Sequence, residues 1–120
     1  MINSEAVVIA YLKQAVEIPV YADAPKDRPG SFLTVELVGG SRDTVVFNRT
    51  RLAIQCWDVS RYTASVLAQT VCDALAVGSR QLAMFGVTAV EITNVINFPD
   101  LESRQPRYQV TAEVTAVGVG

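Results

Sequence analysis

From Arg61 to Val77 the apolar residues Ala64, Leu67, Ala68, Val71, Cys72, Leu75 and Ala76 recur at i, i+3, i+4 and i+7, whereas the chain on either side alternates with period two. One stripe of a helix roughly 25 Å long must therefore be buried, and alternating strands are the surface that can receive it. Ser60 supplies the N-cap, and Gly78-Ser79 the stop. A second amphipathic helix is expected from Asn3 or Ser4 through Val8, Tyr11, Leu12 and Ala15, ending before Pro19. Glu5 falls in its first turn, where the helix dipole favours negative charge.

Ile18 to Ala22 reads as a short extended piece, followed by a loop over Asp23 to Ser31 that two prolines and a glycine keep out of any ladder. Phe32 to Val38 alternates Leu33, Val35 and Leu37 against Thr34 and Glu36 and is expected to end at Gly39-Gly40. β character returns at Thr44 to Phe47 and from Thr50 to Trp57, where Leu52, Ile54 and Cys56 oppose Arg51, Ala53, Gln55 and Trp57. The pattern predicts a long antiparallel hairpin with Gly39 to Asp43 at its tip and an irregularity near Asn48. Two more strands are expected, Val87 to about Asn97 and Tyr108 to Ala116, joined by a loop over Phe98 to Pro106. The fold class is α+β: a mostly antiparallel sheet with a long hairpin and two helices packed on one face, residues 1–120 forming a single domain. The other sheet face, with Thr34, Glu36, Arg51, Gln55, Trp57, Gln109, Thr111 and Glu113, is either solvated or covered by another subunit.

The chain has no histidine, which removes Ser-His-Asp and Cys-His nucleophiles, histidine bases and ordinary zinc sites. Asp23 with Asp27, and Asp100 with Glu102, lie in loops beside Arg or Lys and read as charge-balanced surface rather than catalytic pairs. Gly39-Gly40-Ser41 has no helix or Walker lysine after it. Cys56 and Cys72 sit at inward positions, as small reduced hydrophobes do in a cytoplasmic protein. No catalytic residue, metal or cofactor is expected. With 10 Lys+Arg against 12 Asp+Glu, there is no basic surface for specific nucleic-acid binding, and no apolar run approaches a membrane span. Lys13 and Lys26 are the only lysines, an arginine bias that suits contact surfaces and equally a GC-rich genome. Trp57 reads as an interface anchor or as the rim of the core.

The stretches Arg28 to Val35, Gly39-Gly40, Leu52 to Asp58, Ser60-Arg61 with Ala64, Leu67 and Ala68, and Phe98-Pro99-Asp100 with Pro106-Arg107-Tyr108 resemble, in that order, tail terminator proteins of long-tailed bacteriophages, in style the type found in phages of actinobacteria. The resemblance spans roughly Pro19 to Val117. It implies a virion structural protein of the tail and neck, assembled in the host cytoplasm. Such a homo-hexameric ring caps the head-proximal end of the tail, stops growth of the major tail tube protein and docks the head-tail connector (stopper) protein. Genome DNA would pass through its lumen without specific binding. Another connector or neck protein of the same virion, or a small α+β ligand-binding regulatory domain, are the competing readings.

A ring subunit spends two different patches on its neighbours. Of the roughly 6,300 Å² a 13.0 kDa monomer exposes, two patches of about 800 Å² take a quarter. A mean hydropathy of +0.27 with only 18% charged residues is what such burial leads one to expect. The candidate interface residues are Arg42, Asp43, Arg49 and Arg51 on the hairpin, Trp57, and Arg28, Arg104 and Arg107 around the two proline-containing loops.

Overall fold

The computed structural model describes residues 2–41 and 47–117. Helix α1 (Ser4–Ala15) starts where the Asn3 side chain accepts from the Ala6 amide at 3.0 Å, and β1 (Val20–Tyr21) follows. β2 (Phe32–Ser41) and β3 (Phe47–Trp57) form the long hairpin. Helix α2 (Arg61–Val77) opens on a capping box in which Ser60 and Thr63 bond each other's backbone amides. A short helix α3 (Ser79–Met84) leads through Gly86, at φ +92°, into β4 (Val87–Asn97), and β5 (Arg107–Val117) completes the chain.

The five strands lie in the order β1-β2-β3-β5-β4, antiparallel except for the β1–β2 pair. This is the expected α+β class. All three helices cover one face, where Val8, Leu12, Leu67, Val71, Leu75 and Leu82 pack against Leu33, Leu52, Ile54, Val110, Ala112 and Val114.

Three details differ from expectation. Helix α3 joins the helical layer although its six residues bury only Leu82, too short a stretch for periodicity to reveal. β2 does not end at Gly39-Gly40: Gly39 pairs with Arg51, Gly40 with Thr50 and Ser41 with Arg49, because an extended glycine can still carry a ladder. The hairpin's irregularity is at Val38, the extra residue between the Leu37–Leu52 and Gly39–Arg51 pairs, while Asn48 pairs regularly with Ala116. The expected strand residues 44–46, with Arg42 and Asp43, lie outside the described residues.

Candidate functional site

The uncovered sheet face is not uniformly polar. At the end where β2 starts and β3 finishes, Phe32 and Trp57 are direct cross-strand partners and stack with ring centroids 5.2 Å apart and planes 11° from parallel. Tyr21 of β1 meets Phe32 edge-on at 6.0 Å. Two guanidinium groups cover the indole: Arg28 Cζ lies 4.9 Å and Arg107 Cζ 4.7 Å from its centroid. Trp57 is consequently only 3% exposed. It lies on the face opposite the helices, outside the main core cluster.

One carboxylate organises both arginines. Asp100 lies 3.6 Å from Arg28 Nη1 and 3.9 Å from Arg107 Nη1, and it accepts from the Ser103 hydroxyl at 2.6 Å and the Ser103 amide at 3.1 Å. The Ser103 bonds, then Arg107 and Arg28, hold its carboxyl below the usual carboxylate range, against an opposing push from burial. Arg107 also donates through Nε to the Phe98 carbonyl at 2.7 Å and stacks on the Phe98 ring. The loops 22–31 and 98–106 are thereby locked together across the end of the sheet.

From this cluster a hydrogen-bonded chain runs across three strands. Trp57 Nε1 donates to Thr34 Oγ1 at 3.0 Å, and Thr34 to Gln55 Oε1 at 3.2 Å. Gln55 Nε2 donates to Gln109 Oε1 at 3.2 Å, and Gln109 to Thr111 Oγ1 at 3.3 Å. These side chains satisfy one another, so half of the polar face is a fixed, uncharged surface.

The predicted interface residues thus divide. Arg28, Trp57 and Arg107 come together, with Arg104 exposed in the adjoining loop at φ +61°. Arg49 and Arg51 lie toward the other end of β3, eight and six residues, or about 26 and 20 Å, from Trp57. There Arg49 Nη1 is 3.4 Å from Glu113 Oε1, and Arg51 pairs across the ladder with Glu113, which itself faces Glu91 of β4. Phe32, Thr34 and Asp100 complete the cluster. Sequence places Thr34 on the polar face and Asp100 in a charge-balanced loop, and Phe32 shares the parity of Thr34 and Glu36; that the three meet at one end of the sheet follows from no local pattern.

Nothing in this arrangement is a nucleophile poised beside a base. Burial pushes the Cys56 thiol well above its ordinary value, with Cys72 adding to the rise, and burial followed by Asp73 raises Cys72; both are unbonded thiols. Among the described residues no group of His, Cys, Asp and Glu is placed to hold a metal, and no helix is long and apolar enough to cross a membrane. What the surface offers is stacked arginines, a satisfied polar ladder and exposed apolar side chains such as Leu101, Tyr62 and Phe98, which is contact chemistry.

No family model matches the sequence, and no curated protein matches it. The fold is similar to that of a chain in the virion of a native gene transfer agent particle, with a TM-score of 0.61 and 18% identity over 94% of this chain and 86% of that one. The two chains share a fold over most of their lengths.

Proposed function

We propose that this chain is a structural subunit of a phage-type virion and serves as its tail terminator. Six copies form a ring on the head-proximal end of the tail tube, end polymerisation of the tube protein and present the surface to which the head connector docks. The observation that carries the reading is the whole-chain fold likeness to a subunit of a virion particle, which agrees with the ordered series of terminator-like motifs between Pro19 and Val117.

The surface supports it. The chain exposes 6952 Å², about a tenth more than a compact monomer of its mass, and distributes large apolar side chains over α2, the β4 edge and the Leu101 loop. Its two arginine groups sit at opposite ends of one sheet face, an arrangement suited to axial contacts with different partners above and below a ring.

Deleting the gene in cells that make the particles, and measuring tails by electron microscopy, tests this. A terminator's loss gives headless tails of uncontrolled length. Tails of normal length that merely fail to join heads would instead assign the chain to the connector, and normal complete particles would overturn both.

A further inference from the structure

A single row of side chains crosses the end of the sheet where loops 22–31 and 98–106 meet. Phe32 pairs with Trp57 and Trp57 with Arg107, and the Phe98 amide donates to the Arg107 carbonyl at 2.9 Å. The Arg107 guanidinium is accordingly flanked by two rings, its Cζ 4.7 Å from the indole centroid and 4.8 Å from that of Phe98. Arg28 reaches the same indole from the loop after β1. Two planar cations are thus oriented by the rings they lie on.

Neither their charge nor their donors are matched from within. Among the described residues Asp100 is the one carboxylate within ion-pair reach of either group, 3.6 Å from Arg28 and 3.9 Å from Arg107, too far for a hydrogen bond. Asp58, the acid next to Trp57 in sequence, instead accepts from the Ser31 hydroxyl at 2.9 Å and the Val59 amide at 2.7 Å. Each guanidinium carries a fork of N–H donors. Arg28 uses Nη1 on the Ser103 hydroxyl at 3.3 Å, and Arg107 uses Nε on the Phe98 carbonyl at 2.7 Å. Burial, with Arg28 adding to it, holds Arg107 below the ordinary arginine range although Asp100 pulls the other way. Two positive groups facing one carboxylate leave positive charge and most of the donors for a group from outside.

The surroundings select that group. An arginine fork matches a carboxylate or a phosphate. A nucleic-acid backbone demands a run of cations, whereas here Asp58, Asp100 and Glu102 are interspersed with the arginines in a chain of net charge −2. Beside the pair, Leu101 is 90% and Phe98 44% exposed, an apolar collar that suits a protein surface. We infer that Arg28 and Arg107 form a carboxylate-binding subsite, filled in the assembled particle by an Asp or Glu side chain that a neighbouring virion protein presents beside an apolar residue. Ring stacking and the two locked loops hold the guanidinia in place before the partner arrives, which lowers the ordering cost of binding. The inference rests on the axial-contact reading above and gives that contact its chemistry.

The test uses the purified full chain, and so does not depend on tail length. The probe is the tripeptide acetyl-Leu-Glu-Leu-amide, titrated while the indole N–H resonance of Trp57 is followed by NMR. Acetyl-Leu-Gln-Leu-amide, inorganic phosphate and a short DNA duplex are the comparisons. The acidic peptide is expected to shift the resonance saturably and to bind roughly tenfold or more tighter than the glutamine peptide or phosphate, as a charge-assisted contact does. Arg28→Gln removes that advantage, while Arg80→Gln, at an exposed position on α3, keeps it. Equal binding of the two peptides, tighter binding of phosphate or the duplex, or an equal loss in Arg80→Gln overturns the inference. The peptide comparison is made on the parent chain, so it decides whether or not Arg28→Gln folds. A failed titration leaves the terminator reading standing if deletion still lengthens tails, and normal tail length leaves a positive titration standing as a carboxylate subsite.

Discussion

The ring of Tyr11 occupies the space that Gly78 leaves empty: a Cβ on Gly78 would come within 2.3 Å of the Tyr11 Cζ and hydroxyl oxygen. The same hydroxyl donates to the Ala74 carbonyl at 2.5 Å. Gly78 is both the C-cap of α2 and the N-cap of α3, at φ −87°, so it is glycine because α1 crosses there, not because the backbone turns left-handed.

Gly78→Ala is expected to destabilise the chain by about 1–3 kcal/mol through overpacking, read as a lower urea midpoint. Tyr11→Phe should lose about 1 kcal/mol, the net worth of its hydrogen bond. An unchanged midpoint for Gly78→Ala would show that the helices can separate without cost.

Trp57 is the chain's single tryptophan, so intrinsic fluorescence reports the far-face cluster alone. Native emission is expected to be blue-shifted. Removing either guanidinium cover, with Arg28→Ala or Arg107→Ala, should shift it to the red and cost about 0.5–2 kcal/mol for the lost cation–π contact. Trp57→Ala is expected to cost about 3–5 kcal/mol as a buried aromatic.

The Asp100 carboxyl titrates below its ordinary value of 3.8 in the folded chain. A depressed folded value stabilises the protein above the unfolded pKa, and the contribution is lost as pH falls through the folded value. Thermal melts between pH 5 and about pH 2 should show Asp100→Asn losing less stability on acidification than the parent. Parallel acid limbs would show that the Ser103, Arg107 and Arg28 contacts contribute nothing.

Cys72 is partly exposed and Cys56 buried, and burial raises both thiols. Little thiolate is present at pH 7.5, so iodoacetamide should modify Cys72 slowly and Cys56 only on unfolding. Peptide mass mapping over time checks the order.

Arg49→Glu removes the 3.4 Å pairing with Glu113 and sets two acids side by side on the sheet. Because the pair is substantially exposed, the folding cost should stay within about 1 kcal/mol, while ring formation or tail length control is lost. Normal rings from this variant would remove the hairpin arginines from the interface.

Local pattern was enough for the framework. The i, i+3, i+4 apolar stripe of α2 and the parity of Leu52, Ile54 and Cys56 name the buried face of each element, because side-chain direction repeats along a regular backbone. The Ser60 cap was likewise readable, since that bond spans three residues, while sequence alone offers both Asn3 and Ser4 as the cap of α1 and the structure selects Asn3. Helix α3 escaped because one buried leucine makes no period. The tryptophan cluster escaped for another reason: Arg28, Asp100 and Arg107 belong to two loops whose meeting depends on β3 pairing with both β2 and β5.

By itself the sequence determined which residues turn inward, the α+β class and the absence of histidine chemistry. Only the tertiary structure decided that Trp57 is covered by its own chain's arginines and that Gly78 answers to Tyr11. Periodicity is a property of neighbours along the chain, whereas these relations join groups whose distance is set by strand order and helix crossing, which no local pattern encodes.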